Sequence, residues 1–173
     1  MGSYKRTSLG VDSYDTSHRS SCRVDILYCF NIHVGFFNFY FWWMKKILFV
    51  CVENSNRSQM AEAFAIINGK DKVEAFSAGS EPSGKVNEKA IESMKELGYN
   101  LTEHFSKSLK DFEGEEFDYL ITMGCGDECP YVSAKHREDW QIPQPKDMDK
   151  NEFRKVRDEI EKKVKGLIAQ IEK

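Results

Sequence analysis

Ile47-Leu48-Phe49-Val50-Cys51-Val52-Glu53-Asn54-Ser55-Asn56-Arg57-Ser58-Gln59-Met60-Ala61-Glu62 is the stretch on which the fold of this chain turns. Four apolar residues, enough for a short buried strand, run into a cysteine. Small polar residues follow as a loop. Met60, Ala63, Phe64 and Ile67 then recur at helical spacing, which predicts a helix over residues 58–68. A strand feeding a short polar loop and a helix N-terminus makes a cradle whose backbone N–H groups turn inward on a tetrahedral oxyanion. Arg57 adds a two-pronged cationic donor to that cradle. A buried cysteine at a strand end is more often packing than chemistry. Here the surrounding layout makes Cys51 a nucleophile beside a bound phosphate-like ion.

Outward from this stretch, strands and helices alternate. Val73 to Ser77 is a second strand, closed by Ala78-Gly79. Asn87 is the expected N-cap of a helix through Leu97, with Ala90, Ile91, Met94 and Leu97 on its buried face and Gly98 at its stop. Phe117 to Thr122 is a third buried strand. The last helix spans about Asp149 to Glu172, with Phe153, Val156, Ile160, Val164, Leu167, Ile168 and Ile171 as its apolar stripe. The pattern predicts a single α/β domain of three layers, its mostly parallel sheet flanked by helices. In such sheets ligands bind at the carboxyl ends of the strands, where Cys51 stands.

A second chemical signal follows the third strand. Met123-Gly124-Cys125-Gly126-Asp127-Glu128-Cys129-Pro130 sets Cys125 and Cys129 on a glycine-rich loop leaving the same sheet edge as Cys51. Three thiols near one anion pocket suggest redox chemistry. Zinc competes for such thiols, but no paired metal-ligand spacing is present and His136 is a lone downstream histidine, so no metal is expected. His104 has the look of a surface or helix-adjacent histidine.

The 173 residues suit one domain, and a net charge of −3 gives no electrostatic footprint for nucleic acid. Five cysteines do not form a secreted disulfide framework. They suit a reducing compartment, and a cytoplasmic location is expected. Residues 1–43 differ from the rest: the 18-residue segment Ile26 to Trp43 holds nine aromatic residues. Asn31, His33 and Asn38 interrupt that segment, and Lys45-Lys46 lead straight into the first strand without a linker, so a membrane span is not expected. Residues 1–43 are therefore expected to be an atypical extension, disordered or non-native, and 44–173 the catalytic domain.

From Met44 to Lys173 the chain resembles the low-molecular-weight tyrosine phosphatase superfamily, and more closely its thiol-dependent arsenate reductase branch. The resemblance lies in Cys51 to Glu62, Phe76-Ser77-Ala78-Gly79-Ser80, Thr122 to Pro130, Asp139 to Pro145 and Arg157-Asp158-Glu159-Ile160. It implies that Arg57 and the N–H groups of Val52, Glu53, Asn54, Ser55, Asn56 and Arg57 bind arsenate or a phosphate-like oxyanion. It further implies that Cys51 attacks arsenic while Ser58 donates to its sulfur. Cys125 then attacks Cys51, expelling arsenite, and Cys129 resolves that disulfide. No bound cofactor is implied, only a thiol reductant such as thioredoxin as co-substrate. A phosphatase working through a phospho-cysteine is the alternative.

Two departures stand out. Related enzymes carry an aspartate before the proline where this chain has Gln144-Pro145, so the usual proton donor to a leaving group is missing. The second is the spacing of Cys125 and Cys129, which some reductases of the branch set wider, so the electron donor stays open. Some members also bind potassium beside the oxyanion loop. Asn54, Glu62 and Ser77 match part of that ligand pattern, but Lys107 stands where an acidic ligand is expected.

Overall fold

The computed structural model describes residues 44–124 and 132–173. The expectations for residues 1–43, Cys125 and Cys129 lie outside the described residues. Within them the order is β1 (Lys45–Cys51), α1 (Arg57–Gly69), β2 (Val73–Gly79), α2 (Glu88–Lys95), β3 (Glu116–Thr122), β4 (Ser133–Asp139) and α3 (Lys150–Ile171). The four strands form one parallel sheet in the order β2-β1-β3-β4. β1 is central because its apolar run can be buried on both faces. Ile47, Leu48, Phe49 and Val50 are each at most 1% exposed.

Alternation along β1 divides the core. Ile47, Phe49 and Cys51 share a cluster with Met60 and Phe64 of α1, Ala90 and Met94 of α2, and Phe153, Ile160 and Leu167 of α3. Leu48 and Val50 pack with Leu109 and Phe112, which lie on a 3-10 turn (Leu109–Phe112), and with Phe117 and Leu120 of β3. Phe76, Phe112 and Phe117 meet edge to face within this second cluster. Because all four strands run in parallel, their carboxyl ends share one edge. Cys51 ends β1 on that edge, Gly79 ends β2 and Thr122 ends β3.

The helix starts and stops follow local chemistry. Asn87 accepts a hydrogen bond from the Lys89 N–H, and Asp149 accepts from both Asn151 and Glu152, so both N-caps are satisfied. Gly98 follows α2 at φ +80°. The buried faces differ from the sequence expectation in two places. Ile67 is 40% exposed because the last turn of α1 meets β2 through Gly69, so close to Val73 that an added Cβ would lie 2.1 Å from its side chain. Leu97 is 45% exposed because α2 has already ended at Lys95. β2 also continues through Ala78 and Gly79, and a fourth strand, β4, forms where no apolar pattern signals one. Its sequence, Ser-Ala-Lys-His-Arg-Glu-Asp, has no apolar run because it is an edge strand left largely in water.

Candidate active site

The loop from Val52 to Asn56 is held by its carbonyls. The N–H groups of Ser80, Glu81, Ser83 and Asn87 donate to the carbonyls of Cys51, Val52, Glu53 and Ser55 at 2.9–3.3 Å. The Asn54 carbonyl accepts from Gln59 Nε2 at 3.2 Å, and that of Asn56 from the Met60 N–H at 3.0 Å. With the carbonyls drawn outward, the peptide planes turn their amides toward the inside. The N–H groups of Glu53, Asn54, Ser55 and Asn56 have no backbone partner among the described residues. The N-cap residue Asn56 makes no side-chain capping bond at the start of α1, and the first turn carries no acidic residue. Inward amides and an uncapped helix start are the features that suit a loop to an anion.

Close approach makes glycine necessary at position 79. A Cβ there would lie 2.5 Å from the Val52 carbonyl oxygen and 2.9 Å from the Asn54 nitrogen. Asn54 itself adopts a left-handed conformation at φ +46°, where asparagine is among the better-tolerated residues.

Cys51 is 3% exposed, and its Sγ lies 3.0 Å from Ser58 Oγ. The neighbouring Asn54 amide is oriented by its own partners. The Lys107 backbone N–H, which can only donate, meets Asn54 Oδ1 at 2.7 Å. The Asn54 amide group is thereby fixed so that Nδ2 donates to Ser58 Oγ at 2.8 Å. Ser58 Oγ thus accepts from Asn54 and keeps its own proton, which is available to the Cys51 sulfur once that sulfur is a thiolate.

Arg57 is 5% exposed, and its Nη1 donates to the carbonyls of Met123 at 2.7 Å and Ile142 at 2.9 Å. These two bonds fix the guanidinium plane and tie α1 to the ends of β3 and β4. Gly124 N and Thr122 Oγ1 both donate to Asp139 Oδ1, at 2.6 and 2.8 Å, and Gln141 Nε2 donates to Asp139 Oδ2. Burial raises the affinity of Asp139 for a proton, but these hydrogen bonds outweigh it and hold the carboxyl below its ordinary range. Asp139 thereby holds the backbone immediately ahead of Cys125 and acts as a clamp.

Behind the cradle lies a buried polar network. Gln59 Nε2 donates to Asn54 Oδ1 at 2.9 Å and to the Phe105 carbonyl at 2.9 Å, while its Oε1 faces His104 Nδ1 at 3.1 Å. His104 Nε2 meets the Tyr99 hydroxyl at 3.0 Å. His104 is thus largely enclosed rather than a surface residue, since the sequence pairs it with no visible partner and only the fold brings Gln59 and Tyr99 to it. Glu62 accepts from Ser77 Oγ at 2.5 Å and from Lys107 Nζ at 3.0 and 3.1 Å. Burial works against its charge, but the hydrogen bonds from His104, Ser77 and Lys107 and the lysine's charge hold its carboxyl below the usual value.

Across the mouth, Lys146 Nζ lies 2.5 Å from Glu53 Oε1. That bond chiefly holds the Glu53 carboxyl below its normal range, with burial opposing and Ser55 and the charge of Arg57 assisting. It brings the segment containing Gln144 and Pro145 against the oxyanion loop. The Gln144 side chain is exposed.

The fold therefore brings together Cys51, Arg57, Ser58 and the loop amides. Gln59, His104, Lys107, Asp139 and Lys146 support the site and were not assigned to it from sequence. Each acts on a residue far along the chain, which leaves no local signal. Among the described residues, no group of three or more His, Cys, Asp or Glu could hold a metal ion. A potassium ion does not fit the partial ligand pattern of Asn54, Glu62 and Ser77, because the Lys107 ammonium already lies against both oxygens of Glu62.

Comparison with known proteins agrees with this geometry. The chain is 39% identical over 131 residues to the glutaredoxin arsenate reductase of Synechocystis sp., covering 74% of this chain and 99% of that protein. A solved structure described as an arsenate reductase in the phosphate-binding state superposes with a TM-score of 0.69 at 39% identity, over 74% of this chain and 99% of that one. The thioredoxin-dependent arsenate reductase of Corynebacterium glutamicum superposes with a TM-score of 0.60 at 33% identity, over 75% of this chain and 62% of that one. Residues 46–173 match the family described as low molecular weight phosphotyrosine protein phosphatase. An inward-facing amide loop with a buried cysteine at its foot and an arginine at its helix start is thus accompanied by a match over most of the chain, and this protein belongs to that family.

Proposed function

We propose that this protein is an arsenate reductase regenerated by a thioredoxin- or glutaredoxin-type thiol donor, acting in the cytoplasm. The single observation that carries the reading is the junction of the anion cradle with the lead into the cysteine loop. Arg57, at the start of α1, holds the Met123 carbonyl, and Asp139 holds the Gly124 N–H, one residue before Cys125. The backbone leading up to Cys125 is thus held by residues of the cradle, which supports the reading.

In the reaction, the Cys51 thiolate attacks arsenic, and one arsenate oxygen leaves as water after protonation. Cys125 then attacks the Cys51 sulfur. The arsenic–sulfur bonding pair stays on arsenic, which falls from As(V) to As(III) and departs as arsenite. Cys129 attacks Cys125 and releases the Cys51 thiolate, leaving a Cys125–Cys129 disulfide. The external thiol donor returns two electrons to that disulfide. Arsenate can carry its own proton to the departing hydroxide, so Gln144 impairs this chemistry less than it impairs phosphate-ester cleavage.

The test is arsenate-dependent NADPH oxidation coupled through a thioredoxin system, beside aryl-phosphate hydrolysis without any thiol. Cys125→Ser is expected to abolish the first and leave the second nearly intact. Survival of both activities in that variant would overturn the triad. Robust phosphate-ester hydrolysis with no arsenate turnover in the unaltered protein would establish the phospho-cysteine alternative.

A further inference from the structure

Lys107 is the hub between the oxyanion loop and the sheet. Its N–H fixes Asn54 Oδ1 at 2.7 Å, its carbonyl accepts the Gly79 N–H at 2.9 Å, and its ammonium lies against both carboxylate oxygens of Glu62. The same short segment supplies two more loop contacts. Ser106 Oγ donates to the Glu53 carbonyl at 2.9 Å, and the Phe105 carbonyl accepts from Gln59. The ammonium is largely enclosed, with Phe105's ring centroid 5.4 Å away, and Glu62 is 7% exposed. His104 and Tyr99 from the preceding segment, and Ser77 from β2, complete the polar surroundings of Glu62.

A carboxylate buried this deeply needs a compensating cation. Removing the ammonium leaves Glu62 either to take up a proton or to draw a small cation from solution. Protonation of Glu62 releases the Lys107 segment and, through its N–H, the Asn54 amide that contacts Ser58 beside Cys51, whereas a small cation against Glu62 holds that segment in place. We propose that the Lys107 ammonium is the loop's resident cation, a positioning residue that sets Cys51 reactivity and makes it independent of added monovalent metal ions. The proposal rests on Cys51 being the nucleophile and not on arsenate being the substrate.

Alkylation of Cys51 by iodoacetamide, followed by mass spectrometry of the Cys51 peptide, reads this directly in the full chain. Rates are compared in potassium chloride, methylammonium chloride and tetramethylammonium chloride at matched ionic strength. The unaltered protein is expected to react equally in all three. Lys107→Met is expected to slow alkylation about tenfold in tetramethylammonium, as misplacement of a supporting group does. Potassium or methylammonium should restore most of the rate, and Lys107→Arg should keep it. Potassium acceleration of the unaltered protein would overturn the proposal. So would a Lys107→Met rate equal to the original, or a slowed rate that no small cation restores. If thermal melting shows Lys107→Met unfolded, the cation comparison on the unaltered protein decides alone. Loss of arsenate reduction with this result intact would count against the proposed function and leave Lys107's role standing.

Discussion

Gly79, Asn54 and Ser58 carry the chemistry of the site although none of them reacts. Gly79 lets β2 pass under the oxyanion loop, Asn54 turns the loop at φ +46°, and Ser58 sets its hydroxyl 3.0 Å from the Cys51 sulfur. Gly79→Ala forces a Cβ to 2.5 Å from the Val52 carbonyl oxygen. The expected cost is about 1–3 kcal/mol of stability, as for an overpacked core. Phosphate should then no longer raise the melting temperature, and a phosphate-induced shift as large as the original would refute the cradle geometry. Gln144 presents the opposite case, a position whose usual acid is absent. Gln144→Asp is expected to raise aryl-phosphate hydrolysis by about 10²-fold, the lower range for a restored general acid. Arsenate reduction should change little. Steady-state rates on both substrates check this, and no change in either would remove Gln144 from the account. Cys51, Arg57 and Ser58 could be assigned from sequence because they are joined by a short loop. Lys107 and Asp139 could not, because their partners lie 53 and 15 residues away.

At the scale of elements, α3 anchors the helical face of the sheet. Phe153, Ile160, Val164 and Leu167 are each at most 4% exposed, and the stripe read from their spacing is the one that packs. Its charged face is tied to α2: Arg154 and Arg157 both hold Glu96, and Arg157 also donates to the Ser93 carbonyl. The Arg154 hydrogen bond leads in lowering the Glu96 carboxyl to about 2, opposed by partial burial and aided by Arg157 and Lys150. Ile160→Ala is expected to cost about 2–5 kcal/mol by leaving a cavity against α1 and the sheet. Urea unfolding followed by circular dichroism measures it, and a loss below the bottom of that range would show that α3 repacks. The limits of periodicity show at α1 and α2. Ile67 and Leu97 obey helical spacing yet stand in water, since Gly69 takes the contact with β2 and α2 stops early.

For the molecule as a whole, acid sensitivity follows from Glu62. Its carboxyl is held below the ordinary value of 4.5 in the folded state. A carboxylate of this kind contributes stability that is fully present above that value and is lost as pH falls through the lowered folded value. Melting temperature should therefore decline on acidification below about pH 4.5, where an unpaired glutamate begins to protonate. Glu62→Gln should melt lower at neutral pH and show a flatter acid limb. An acid limb as steep as the original would place the titrating group elsewhere. Among the described residues, no helix is long and apolar enough to cross a membrane.

By itself the sequence determined the α/β class and the strand–loop–helix around Cys51, because strand burial, helical spacing and a tight loop are all local properties. Only the tertiary structure decided the rest. It set the order β2-β1-β3-β4, recruited the exposed strand β4, and placed Lys107, Glu62, His104 and Asp139 around the loop. Those assignments depend on which distant segments a parallel sheet brings to one edge, and hydrogen bonds across such separations leave no periodic trace in the chain.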